Sequence, residues 1–254
     1  MRLKLKLPKI SLPKLKLPKL GRKFFLGKKF LVCAGLAVIV AVGSVIILNG
    51  IQKDNLYNTA LKNVAEARYY MKSAKGGNTT VQFVVGKREN PYKQDGVTSA
   101  PTAFALVNVT GDDTLKALSQ IEGTINIGQD QFPVTLLQNP YNPLNFSCDI
   151  VSQINREVSP SEDVELTLFI TDSKTSTYFK LENAFGEDAI SWDKALQVAT
   201  AKVGDKLKGQ AFESYITIMD NVAQDSGAFW YVQFITGEGK THYCVVAPDG
   251  SAIS

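Results

Sequence analysis

His242 and Cys244 stand two residues apart in KTHYCVVAP, and a thiol beside an imidazole is the beginning of a nucleophilic site. On a strand, residues two apart share a face, but their side chains stand roughly parallel and about 7 Å apart at the backbone. A thiolate nucleophile needs its base within hydrogen-bond reach and a third group orienting that base. This pair supplies neither. His242 is the sole histidine, and Cys33, Cys148 and Cys244 are scattered, so no zinc-ligand set is present. The acidic pairs Asp112-Asp113, Glu162-Asp163 and Glu187-Asp188 suit acid/base work on glycans in residue type alone. Each falls in a turn-rich piece, and nothing sets two of them across one cleft. No phosphate-cradling glycine loop and no serine-hydrolase elbow occurs. The sequence predicts no catalytic residues, no metal and no cofactor.

Aromatic residues carry the stronger signal. Phe229, Trp230, Tyr231 and Phe234 fall within six residues. Alternation on a strand puts Trp230, Val232 and Phe234 on one face and Phe229, Tyr231 and Ile235 on the other. One set should cover a helix. The second, Phe229, Tyr231 and Ile235, is the candidate partner-binding face, unless it packs on the domain before it.

The elements that would hold this strand are legible on either side. ISWDKALQVATAKVGDKL places Trp192, Ala195, Leu196, Ala199 and Val203 at helical spacing, with Ser191 a plausible N-cap. Three strand-like runs follow it, AFESYITIMD, AFWYVQFITG and KTHYCVVAP. Upstream, TTVQFVV, TAFALVNV, GTINIG, FPVTLL, FSCDIVSQI, DVELTLFI and STYFKLE alternate with turn-rich pieces such as QNPYNP and SPSED. Seven such runs over residues 78–186 predict an antiparallel β-sandwich of Ig-like size, without the Cys-Trp-Cys hallmark of antibody domains.

The last stretch, 187–254, resembles the small α-β-β-β modules of the PepSY and cystatin-like class. The matching pieces are Ala195 to Val203, Trp230-Tyr231-Val232 and Asp249-Gly250-Ser251-Ala252-Ile253. That resemblance covers about 65 residues and implies binding or restraint of another envelope protein, not catalysis.

Charge is distributed unevenly. Of 28 Lys and Arg, eleven lie in residues 1–29, which hold no acid and repeat Leu-Pro-Lys at 7–9, 12–14 and 17–19. The prolines disfavour helix, so the head should be extended and disordered, with Lys14, Lys16 and Lys19 against anionic lipid headgroups. Nucleic acid is a poor partner for so short a tail with an acidic body behind it. Phe30 to Leu48 is uncharged throughout, long enough to cross a bilayer, and lacks a cleavage motif after it. The expectation is an uncleaved, single-pass signal-anchor with the N-terminus cytoplasmic and the remaining domains extracytoplasmic. Cys33, Ala37 and Ala41 form a small-residue row that admits a homodimer.

Residues 49–77 complete the expected plan as a helical stalk, its stripe Leu56, Ala60, Val64, Ala67 and Met71, ended by Gly76-Gly77. The expected protein is a mostly-β, membrane-anchored scaffold of the cell envelope that acts by protein binding. A pilin-like subunit and an envelope enzyme with an unrecognised site are the rival readings.

Overall fold

Alternating β-branched and aromatic residues commit most of this chain to strands, and the question is how those strands hide their edges. In the computed structural model, residues 56–169, 176–186, 188–220 and 227–253 are described. A helical turn over residues 56–62 leads into β1 (Val64–Gly76), followed by β2 (Thr79–Glu89), β3 (Pro101–Thr110) and β4 (Gln120–Ile127). Then come β5 (Asp130–Asn139), β6 (Asn142–Asp149), β7 (Val164–Phe169) and β8 (Thr177–Asn183). Helix α1 (Trp192–Leu207) precedes a meander of β9 (Phe212–Asp220), β10 (Ala228–Thr236) and β11 (Thr241–Val246).

The strands pair in the order β11-β10-β9-β1-β2-β3-β6-β5-β4-β7-β8, and β8 returns to β1 through Lys72↔Asn183 and Ser73↔Glu182. Eight strands thus close an antiparallel barrel. Eight is about the number whose interior side chains alone can fill. Val81, Phe83, Val107, Ile121, Ile125, Leu136, Phe146 and Leu166 fill it here, each at most 1 % exposed. Polar neighbours such as Glu122, Thr124 and Asn126 alternate with them on the outside of β4, the reverse of a transmembrane barrel's pattern.

Two expectations are corrected by this topology. The sandwich expected over 78–186 is a closed barrel, because a strand from outside that range completes the ring. That strand is β1, where a helical stalk was expected. Its sequence favours helix locally, but β1 hydrogen-bonds β2 along most of its length, β9 through Val64–Ala67 and β8 through Lys72–Ser73. A helix there would leave three strand edges unpaired, a cost that tertiary structure avoids and propensity cannot offset. The predicted stripe is nonetheless buried together: Ala60, Val64, Ala67 and Met71 share one core, with Leu56 packed against it. Register shifts between Val64 and Glu66, and between Arg68 and Tyr70, break the strict two-residue alternation that would otherwise scatter them.

Gly86 sits opposite the second of these shifts, paired with Arg68. A methyl group there would overlap the Ala67 carbonyl oxygen and press on the Phe104 ring. Gly86→Ala is therefore expected to destabilise the fold by about 2 kcal/mol, read as a lower urea midpoint with an unchanged slope.

The membrane-spanning localisation is also corrected. No helix among the described residues is long and apolar enough to cross a membrane. Helix α1 has 16 residues, about 24 Å at 1.5 Å each, and carries Asp193, Lys194, Lys202, Asp205 and Lys206. The segment Phe30–Leu48, on which the single-pass reading was placed, lies outside the described residues, as do Lys14, Lys16 and Lys19.

Helix α1 covers one face of the meander. Ala195, Leu196, Ala199 and Val203 pack with Ile216, Trp230, Val232, Phe234 and Cys244 in a second core. The other face of the meander leaves Met219 and Tyr243 exposed.

Candidate functional site

Strand β10 is flanked by β9 and β11, so its two faces are defined by the register on both sides. Trp230, Val232 and Phe234 point to α1 and are at most 1 % exposed. Phe229 and Tyr231 point the other way and remain half-buried, while Ile235 is 5 % exposed in a small cluster with Ala65 and Tyr215. The candidate triad is thus divided between an open half and a covered half of one face.

Pairing extends the open half across three strands. Met219 lies opposite Phe229, and Val245 opposite Tyr231. Tyr231 stacks on Tyr243, ring centroids 5.7 Å apart with planes 28° from parallel. The N–H of Ile253 donates to the Val245 carbonyl, bringing the last described residue to the same edge. Tyr243 is 54 % exposed, Met219 45 % and Ile253 64 %. Apolar and aromatic side chains gathered this way cover no core.

The covered half is closed by the loop between β2 and β3. Glu213, fully buried on β9, accepts through Oε1 from the N–H of Gly96 and, at 3.0 Å, from that of Val97. Its Oε2 takes the hydroxyl of Tyr215, which also lies 2.9 Å from the Lys93 carbonyl oxygen. Burial first, and the Glu213 hydrogen bond second, push the Tyr215 phenol far above its ordinary range, so it stays a donor. Glu89, 2 % exposed, accepts from the N–H groups of Lys93 and Ser99 and from the Ser99 hydroxyl. Tyr92 meets the Tyr215 ring edge-on at 5.8 Å. Two buried carboxylates therefore hold a loop whose own backbone donors would otherwise be stranded.

Sequence reasoning missed this clasp. Glu89 falls in the turn-rich piece GKRENPYKQDG and Glu213 alternates with the apolar residues of AFESYITIMD, so neither stands out until the loop is packed above them.

The residues first suspected of chemistry are placed differently. Cys244 is buried against α1, and burial raises its thiol pKa, opposite to the shift that activates a nucleophile. Cys148 is likewise pushed up by burial, to about 11, and both cysteines are free thiols. Asp112 caps the 3-10 turn Asp113–Leu115 and is held near 2 by hydrogen bonds from Thr114 and Asn78. Glu162 is bound by both terminal nitrogens of Arg156, at 2.9 and 2.7 Å, at the barrel's end. No group of three or more potential metal ligands occurs among the described residues.

Neither a family model, nor a curated protein, nor a solved structure matches this chain. Its function must be read from its own geometry.

Proposed function

We propose that this chain is a non-catalytic binding module that takes a protein partner on the open half of the β9–β10–β11 face. The observation that carries the reading is the contiguous group Met219, Phe229, Tyr231, Tyr243 and Val245, left open while the rest of the same face is closed by a dedicated loop. Tyr and Met are enriched in interfaces because they offer apolar area together with a polar or polarisable end. The barrel is filled by its own side chains, and the two described cysteines, Cys244 buried and Cys148 half-buried, both have raised pKa values. Both facts favour a surface function over an internal one.

Its test is a photoreactive residue at Tyr231 in the full chain, cross-linked in intact cells and analysed by mass spectrometry. A discrete partner is expected, with Tyr243→Asp lowering its yield about ten-fold, as removal of an interface anchor does. The thermal midpoint of that variant should fall by no more than about 4 °C, the cost of losing the stack on Tyr231. Cross-links confined to the chain itself, or a yield indifferent to Tyr243→Asp, would count against the proposal.

A further inference from the structure

Beside the clasp loop lies a recess of about 230 Å³, lined by Arg88, Glu89, Tyr92, Thr102, Phe104 and Asp149 among others. Its charged groups are satisfied to unequal degrees, and that inequality carries information. Glu89 is fully engaged by the loop, as described above. Asp149 uses only Oδ1, which accepts from the N–H groups of Ala105 (3.1 Å) and Val151 (3.0 Å). Its Oδ2 accepts no hydrogen bond among the described residues, and the side chain is exposed. The Arg88 guanidinium lies over the Phe104 ring, 5.3 Å from the centroid, and makes no side-chain hydrogen bond or ion pair among the described residues. Glu66, its cross-strand neighbour, is taken by Arg68 at 2.9 Å.

A half-buried guanidinium held over an aromatic ring keeps five donors in one plane, the geometry that suits a carboxylate. Tyr92 adds a further donor. Its oxygen accepts from Gln94 Nε2 at 3.3 Å, its hydroxyl hydrogen goes to no described residue, and partial burial pushes the phenol's pKa up from its ordinary value. The outer oxygen of Asp149, on an exposed side chain, is open to solvent and can take the opposite partner, a cation. Glu89 and Asp149, both lining the recess, would repel a phosphate dianion, whereas a neutral zwitterion meets both signs at once. The volume is below the roughly 300–1,000 Å³ of drug-sized sites, so the ligand must be small.

We propose that this recess binds a free α-amino acid with a small side chain, its carboxylate on Arg88 and its ammonium on Asp149. The site is separate from the protein-binding face and does not depend on it.

The test is titration of the isotopically labelled full chain with glycine, alanine and serine, followed by amide chemical shifts. Acetate, methylammonium and inorganic phosphate serve as single-charge and dianion probes. Saturable shifts at residues 88–104 and 149 are expected, with the amino acids binding at least about ten-fold more tightly than acetate or methylammonium. Arg88→Met keeps an apolar stem over Phe104 and should weaken binding about ten-fold or more. Asp149→Asn retains an acceptor for Ala105 and Val151 while replacing Oδ2 by an amide, and should bring amino acids down to the level of acetate. Amino acids no tighter than acetate, a preference for phosphate, or unchanged binding in both variants would overturn the assignment.

Discussion

Trp230→Ala is expected to remove about 4 kcal/mol of stability, the middle of the range for deleting a buried aromatic side chain. Trp230 is 1 % exposed at the centre of the α1–meander core, paired with Ile218 on one side and Val246 on the other. Phe185 packs against it with ring centroids 4.8 Å apart. No neighbour can move far enough to fill the void, because β10 is hydrogen-bonded on both edges. The loss should also disable the binding face, since Phe229 and Tyr231 are its chain neighbours on the opposite side. Trp230→Phe should behave differently. The indole Nε1–H is buried without an acceptor among the described residues, so losing it offsets part of the lost volume, and a cost below about 1.5 kcal/mol is expected. Urea denaturation of both variants is the check. Equal losses for alanine and phenylalanine would show that the indole N–H contributes a bond absent from this structure.

Glu213→Ala should rank next, at about 3 kcal/mol. The side chain removed is fully buried and holds the N–H groups of Gly96 and Val97 and the hydroxyl of Tyr215. Leaving such donors without partners costs about 1–3 kcal/mol for each group that water cannot reach. Part of that cost is relieved if the loop lifts away, and this is the second expected result. Amide exchange over residues 93–99 should accelerate by at least about ten-fold in the variant while the barrel amides keep their protection. Glu213→Gln retains one acceptor oxygen and should fall between the two proteins. The loop is built for this seat. Gly96 has φ of 79°, and a side chain there would meet the backbone of Gly237. If Glu213→Ala changed global stability but left exchange in 93–99 untouched, the carboxylate would be supporting β9 and not the loop.

Much of the secondary structure was legible in the residues themselves. Six of the seven alternating runs fall on β2 to β5, β7 and β8, whereas the fifth, Phe146–Ile154, covers only the end of β6 before the chain turns into a 3-10 segment at Val151–Gln153. The segment at Trp192 forms α1 beginning after Ser191. The division of β10 into Trp230, Val232 and Phe234 against Phe229 and Tyr231 also follows from period 2. A strand's alternation is a local property, so it can be read without knowing what covers either face. The candidate binding face was legible to that extent, although Ile235 proved to lie under cover and Met219, Tyr243 and Ile253 came from other strands.

What tertiary structure alone decided is every pairing between distant residues. Val64 to Gly76 have the composition and spacing of a helix, yet they form the strand that closes the barrel against Asn183, more than a hundred residues away. Glu89 and Glu213 are ordinary strand acids until a loop is laid over them, and Arg88 is an ordinary arginine until Arg68 has taken Glu66. In each case the deciding energy is the satisfaction of buried hydrogen-bonding groups or strand edges. Those partners are chosen by the folded topology, so no local pattern in the chain encodes them.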